Sequence, residues 1–256
     1  MKIEIGPNEA GQRLDKFLRK LLKDVPLSAI FKALRKKDIR VNGKKQNEKY
    51  FLEEGDIVEI KYIQSKKEDK SNKFMKVDSK RMKICFEDDN LVVVEKWPGI
   101  LVHSDSADGK EATLTDYTLS YLDAKGAYVP ENELTFTPAA CNRLDRNTSG
   151  MVIFGKTFEG LKCINEAIRE DEIKKYYYAL VKGKIKNGRY EGYILKNSDN
   201  NLSKIYENEV EGSKKIITEV NTVETNGAYS LLEINLITGR SHQIRAHLSY
   251  LGNPII

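Results

Sequence analysis

Cysteine and histidine are scarce in this chain, three of each in 256 residues, and the shortage excludes several classes of protein. Cys85, Cys141 and Cys163 are odd in number and form no CxxC pair, which argues against a disulfide framework and against a cysteine-based zinc knuckle. His242 and His247 lie five residues apart, on different faces of any helix, so with Cys141 they make only a weak metal-ligand set. No apolar run approaches the roughly 18 residues that span a bilayer. The start, MKIEIGPNEAGQR, has no apolar segment of the secretory kind, so the expected address is the cytoplasm. Solenoid-length repeats are missing too, and no low-complexity tract lies outside one polar stretch.

What remains is a 29.2 kDa chain with 40% hydrophobic residues, enough for a core in one large domain or in a medium one with a small appendage. The net charge of +5 is unevenly spread: residues 1 to 81 hold 22 Lys and Arg against 13 Asp and Glu, and residues 82 to 256 hold 21 against 25. A polyanion such as nucleic acid would be drawn to the N-terminal end by counterion release, although a solvated surface also accounts for a charge excess taken alone.

Leu14, Phe17, Leu18, Leu21 and Leu22 recur at helical spacing. After Pro26, Ser28 is the expected cap of a second helix carrying Ile30 and Leu34. IRVNGKK and DIVEIKY then read as strands, with Asn42-Gly43 as the left-handed turn of a hairpin. The Lys-rich, aperiodic residues 64–81 predict a flexible linker between a module at 1–63 and a domain at 82–256. In that domain, residues 83–96 predict two strands around an acidic turn, 158–169 a helix, and 176–181 a strand. Residues 216–225 and 228–237 predict a hairpin closed by Asn226-Gly227. The fold class expected is α+β, rich in strands.

Three segments carry candidate chemistry. In CNRLDRNTSGMVIFGK, Asp145 stands between Arg143 and Arg146, which suits a carboxylate acting as nucleophile or base; an Asx-turn ahead of Thr148, Ser149 and Gly150 is the structural alternative. TGRSHQIRAH places Arg240, His242, Gln243, Arg245 and His247 where a strand runs into a helix, suited to phosphates and carboxylates or simply to an exposed helix face. KKYYYALVKG sends Tyr176 and Tyr178 to one side of a strand and Tyr177 to the other, for stacking on bases or for ordinary packing.

Taken in order, NRLDRNTSG, the Lys175-Tyr176-Tyr177-Tyr178-Ala179 segment and TGRSHQIRAH resemble the motifs of the RluA-type family of RNA pseudouridine synthases. EDDNLVVVEKWPGILVHSD matches more weakly, because Trp97 separates Lys96 from Pro98 where that family has Lys-Pro-x-Gly. The resemblance implies a pseudouridine synthase fold with a mostly antiparallel mixed central sheet. It makes Asp145 the catalytic carboxylate, Tyr177 the active-site tyrosine and Arg245 the arginine beside Asp145. Arg143, Arg146, Arg240, His242 and Gln243 become candidates for binding the substrate. It implies no metal, redox or nucleotide cofactor. RLDKFLRKLL, LSAIFKALRKKDIRVNGKK and GDIVEI are similar to the S-four-like RNA-binding domain, whose phosphate-facing surface would be Lys32, Arg35, Lys36, Lys37, Arg40, Lys44 and Lys45.

The expected partner is RNA, by analogy that of the large ribosomal subunit, with no membrane and a monomeric chain. Family members continue beyond the segment that ends here at Ile256, so further catalytic-domain sequence is expected there. Two competing classes are an RNA-binding factor without catalysis and a metal-dependent hydrolase. The latter would have to use Asp88 with Asp89, or Glu170, Asp171 and Glu172, and both clusters read as solvated turns.

Overall fold

The computed structural model describes residues 1–63, 74–104, 111–196 and 203–256. They divide into two compact units, Met1–Glu166 and Ala167–Ile256.

In the first unit the apolar stripe forms helix α1 (Leu14–Leu21) and buries Leu14, Phe17 and Leu18, while α2 (Leu27–Lys36) adds Ile30, Ala33 and Leu34 to the same core. The cap of α2 is Pro26, not Ser28: the proline ring presets φ at −57°, and its carbonyl accepts the amides of Ala29 and Ile30. Lys37, left-handed at φ 66°, ends the helix. Strands β1 (Lys2–Glu4), β2 (Ile39–Val41) and β3 (Ile57–Ile60) close this core as an antiparallel sheet ordered β1-β3-β2. Asn42 (φ 51°) and Gly43 (φ 72°) make the expected tight turn, but the strand after it shrinks to one Val41–Lys44 bridge. The partner of β2 is instead β3, because Asn42 is tied across to Asp56 and to the Ile57 amide.

A second core lies under β4 (Lys83–Glu87), β5 (Leu91–Lys96), β6 (Ala139–Ala140) and β7 (Gly150–Gly155), in the order β4-β5-β7-β6. Val92, Val94, Val152 and Phe154 meet Leu114, Leu119 and Leu122 of α3 (Leu114–Ala124), which begins with a capping box between Thr113 and Asp116. Helix α4 (Phe158–Arg169) follows β7 with the bounds the periodicity predicts. Residues 64–73 of the expected linker lie outside the described residues. The rest of it, 74–81, is held down: Phe74 is buried in this core, the Val77 amide donates to Ser120 Oγ, and Ser79–Arg81 form a short 3-10 turn. One buried aromatic outweighs the polar composition around it. The N-terminal module is also bonded to this half of the unit. Buried Glu9 accepts the Thr135 amide and hydroxyl, Asn8 Oδ1 accepts the Phe158 amide, and Leu134 packs on the α1–α2 core.

The second unit is a five-stranded sheet of β8 (Tyr176–Lys182), β9 (Gly188–Lys196), β10 (Ser203–Tyr206), β11 (Lys214–Thr225) and β12 (Tyr229–Leu236), ordered β10-β9-β11-β12-β8. Asn226 turns the β11–β12 hairpin by accepting the Ala228 and Tyr229 amides on its side chain. Helix α5 (Gln243–Tyr250) lays Leu248 against Val181, Val220, Leu232 and Ile234. The class is α+β as expected, and every pairing among the described strands is antiparallel.

Candidate active site

The residues 141–149 connect β6 to β7 and carry Asp145. Asn142 braces their exit, donating from Nδ2 to the Met151 carbonyl and accepting the Ile153 amide on Oδ1. Leu144 is pulled into the core, which turns Arg143 and Arg146 out to solvent and leaves Asp145 half-buried between them. The Thr148 amide donates to the backbone carbonyl of Asp145.

Beneath the loop lies Lys96, the last residue of β5, with no solvent exposure. Its Nζ donates to three carbonyls: Thr148 at 2.7 Å, Arg146 at 2.8 Å and Trp97 at 3.1 Å. Three donors thus meet three acceptors, which is what an enclosed ammonium requires. Burial lowers the lysine pKa, and the attraction of Asp145 works in the opposite direction. The Gly99 amide donates to the Arg146 carbonyl, and the Arg146 guanidinium reaches back to the Gly99 carbonyl and to Glu111. His103 Nδ1 lies 3.0 Å from Thr115 Oγ1; burial first, and the charge of Arg143 second, lower its pKa and favour the neutral ring.

In the second unit Tyr177 faces inward from β8 and borders the cluster of Ala179, Val181, Leu232, Ile234 and Leu248, with Ile244 of α5 on the same cluster. Tyr176 and Tyr178 are exposed on the opposite face, as strand alternation predicts. The TGRSHQIRAH segment separates by role. Arg240 and Arg245 are exposed, and half-buried His242 takes the left-handed conformation (φ 58°) at the start of α5.

Gln243, expected to bind substrate, is instead only 2% exposed with its amide fully used. Its Oε1 accepts from Thr238 Oγ1 and the Arg240 amide, and its Nε2 donates to the Ile217 carbonyl and Thr218 Oγ1. It fixes the Arg240 turn rather than touching a ligand, because a carboxamide has no further lone pair or proton of comparable reach to offer. His247 is likewise internal, with Nδ1 3.0 Å from Thr218 Oγ1 and its ring edge-on to Tyr190, and burial lowers its pKa. That enclosure removes it from the ligand set with His242 and Cys141.

On the N-terminal module an open groove of about 560 Å³ runs beside α2, lined by Phe31, Leu34, Arg35, Lys45, Gln46, Asn47 and Glu48. Lys32, Lys36, Lys37 and Lys44 are exposed on the same module, while Arg40 donates from Nε to the Lys37 carbonyl.

Residues 90–250 match the family of RNA pseudouridylate synthases. The chain belongs to that family. Residues 12–58 match the S4 domain. The ribosomal large subunit pseudouridine synthase C of Vibrio vulnificus is 35% identical over 99% of this chain and 77% of that protein. The Escherichia coli protein of the same name is 34% identical over the same shares. Among solved structures, human RNA pseudouridylate synthase domain containing 4 superposes with a TM-score of 0.55 at 22% identity, over 67% of this chain and 66% of that one, a likeness of fold. In this pseudouridine synthase the family was legible from its motifs in the sequence. Lys96, His103 and Asn142 were not singled out, although all three lie within or beside matched motifs. What would have drawn attention to Lys96 is its place in strand alternation, in step with Val92 and Val94.

Proposed function

We propose that this pseudouridine synthase acts on large-subunit ribosomal RNA, isomerising specific uridines with Asp145 as the catalytic carboxylate and no cofactor. The reaction breaks the N1–C1′ glycosidic bond, turns the uracil, joins C5 to C1′, and replaces the proton lost from C5 by one on N1, so it is redox-neutral. Asp145 acts on the uridine after it is flipped out of its stack, either by attacking sugar or ring or by removing a ribose proton. Looped RNA is the favoured target because unstacking is cheapest there. Arg245 pairs with Asp145, and Tyr177 stacks on the uracil. Arg143, Arg146, Arg240 and His242 take flanking phosphates, and the basic surface of residues 1–63 holds RNA at a distance from the reaction. The protein works as a cytoplasmic monomer in this reading.

The observation that carries the proposal is the loop of Asp145: a half-buried carboxylate between two exposed arginines, on backbone clamped from below by Lys96. Such a fixed frame is what positions a reacting group. The names of the relatives favour the large-subunit substrate. The test is deletion of the gene, mapping of pseudouridines across ribosomal and transfer RNA by chemical labelling and primer extension, and complementation. Wild type should restore one or a few large-subunit sites and Asp145→Ala none. Restoration by Asp145→Ala would remove Asp145 from the mechanism, and loss of sites only in transfer RNA would overturn the substrate.

A further inference from the structure

Arg81 ends the 3-10 turn ahead of β4 with its guanidinium carbon 4.7 Å from the ring centroid of Trp97. The basic side chains around it are matched by carboxylates: Lys76 with Asp123, Lys80 with Asp78, and Lys83 with Glu95. Arg81 is not. Among the described residues no carboxylate pairs with it and no acceptor takes a hydrogen bond from its guanidinium, which stays exposed. A surface arginine ordinarily samples many rotamers, and stacking on an indole removes much of that freedom before a ligand arrives. The result is a preorganised fork of N–H donors with its charge unspent.

The platform under it is rigid and belongs to the frame of the catalytic loop. Trp97 is half-buried, meets Tyr117 edge-on at 5.2 Å, and packs on the β4–β7 core. Its carbonyl is one of the three held by Lys96 Nζ, the other two being those of Arg146 and Thr148, one and three residues after Asp145. Arg81 is thereby referenced to Asp145 through one aromatic ring and one buried ammonium.

We propose that Arg81, stacked on Trp97, binds a backbone phosphate of the substrate RNA flanking the uridine presented to Asp145. The ligand class follows from the donor: a planar, permanently charged fork pairs bidentately with phosphate, and its stacked face leaves the edge free to do so. Trp97, which separates Lys96 from Pro98, is what makes this platform possible. The inference rests on reading the chain as acting on RNA.

The test uses the full chain and radiolabelled large-subunit rRNA transcript. Filter binding across a salt series is run for wild type, Arg81→Gln, Arg81→Lys and Trp97→Ala, with pseudouridine formation and thermal midpoint measured on the same samples. Arg81→Gln should flatten the log affinity against log salt slope by about 0.7–0.9, one phosphate contact, and weaken low-salt binding about 3–10-fold, with more effect on KM than on kcat. Arg81→Lys should recover the slope but not all the affinity, and Trp97→Ala, which keeps the charge and loses the stack, should do the same. A slope for Arg81→Gln equal to wild type overturns the proposal, whether or not the thermal midpoint falls, because a merely structural stack changes stability without changing counterion release. If wild type forms no pseudouridine yet the slope difference persists, the proposed reaction fails while the phosphate contact stands.

Discussion

Lys96 clamps the loop of Asp145 from below. An ammonium with no solvent exposure is tolerated only because three carbonyls and the nearby carboxylate of Asp145 compensate its lost hydration. Replacement by methionine keeps the volume and removes the donors, leaving three carbonyls facing an apolar side chain. Lys96→Met should lose about 2–4 kcal/mol of stability, read as a lower thermal midpoint, and single-turnover pseudouridine formation should fall at least about 10-fold as the Asp145 loop loosens. Undiminished turnover in a folded Lys96→Met protein would show that the loop needs no clamp. At the same scale, motif matching placed Gln243 among the ligand-binding residues, whereas its four internal hydrogen bonds make it a brace. A linear motif records that a residue type recurs and is silent on whether its side chain faces substrate or backbone.

Two glycines mark close packing where α4 starts. A Cβ built on Gly160 would stand 2.6 Å from the Asn90 carbonyl oxygen, and one on Gly155 would stand 2.6 Å from backbone and Cβ atoms of Leu161. Neither obstacle is a flexible side-chain end, so Gly160→Ala should destabilise by about 1–3 kcal/mol, measured by chemical denaturation, despite alanine's better helix propensity. A second inter-element contact makes the protein acid-sensitive. Burial alone would raise the pKa of Glu87, but the bonds it accepts from Tyr121 of α3, Lys156 after β7 and Lys125 outweigh that and hold it at about 2. Because the folded value lies below the unfolded one, this stabilisation is complete above pH 4.5 and is lost as pH falls towards 2. His103 and His247, kept neutral by burial, have lowered folded values as well, so their share is present above pH 6.5 and declines below it. Denaturation midpoints should therefore fall in two stages on acidification, and Glu87→Gln should flatten the lower stage, worth about 2 kcal/mol after screening of the half-exposed Lys125.

For the molecule as a whole, charge is segregated along the chain, with the basic surplus in residues 1 to 81. Lys32, Arg35 and Lys45 stand exposed on the N-terminal module, the last two lining its groove. The triple variant to alanine should raise KM for the substrate RNA about tenfold or more and flatten the salt slope by about 2–3, with a smaller effect on kcat. An unchanged salt slope would assign that surface to solubility. The module is not merely tethered by sequence: Asn8 and Glu9 bond it to the β4–β7 half of its unit through contacts 125 to 150 residues apart in the chain, and Leu134 packs on its core.

What the sequence determined by itself was whatever depends on short-range pattern. Helical spacing set α1 and α4, alternation set the faces of β8, Asn-Gly pairs marked two turns, and three motifs in order named the family. Tertiary structure decided what depends on partners distant in the chain. It turned Lys96 under the loop of Asp145, and it took Gln243 and His247 inside. It also pinned residues 74–81 through Phe74. Each of these is a buried group held at least in part by backbone, side chain or core 25 or more residues away, and such distant partners, unlike periodicity, leave no mark on neighbouring letters.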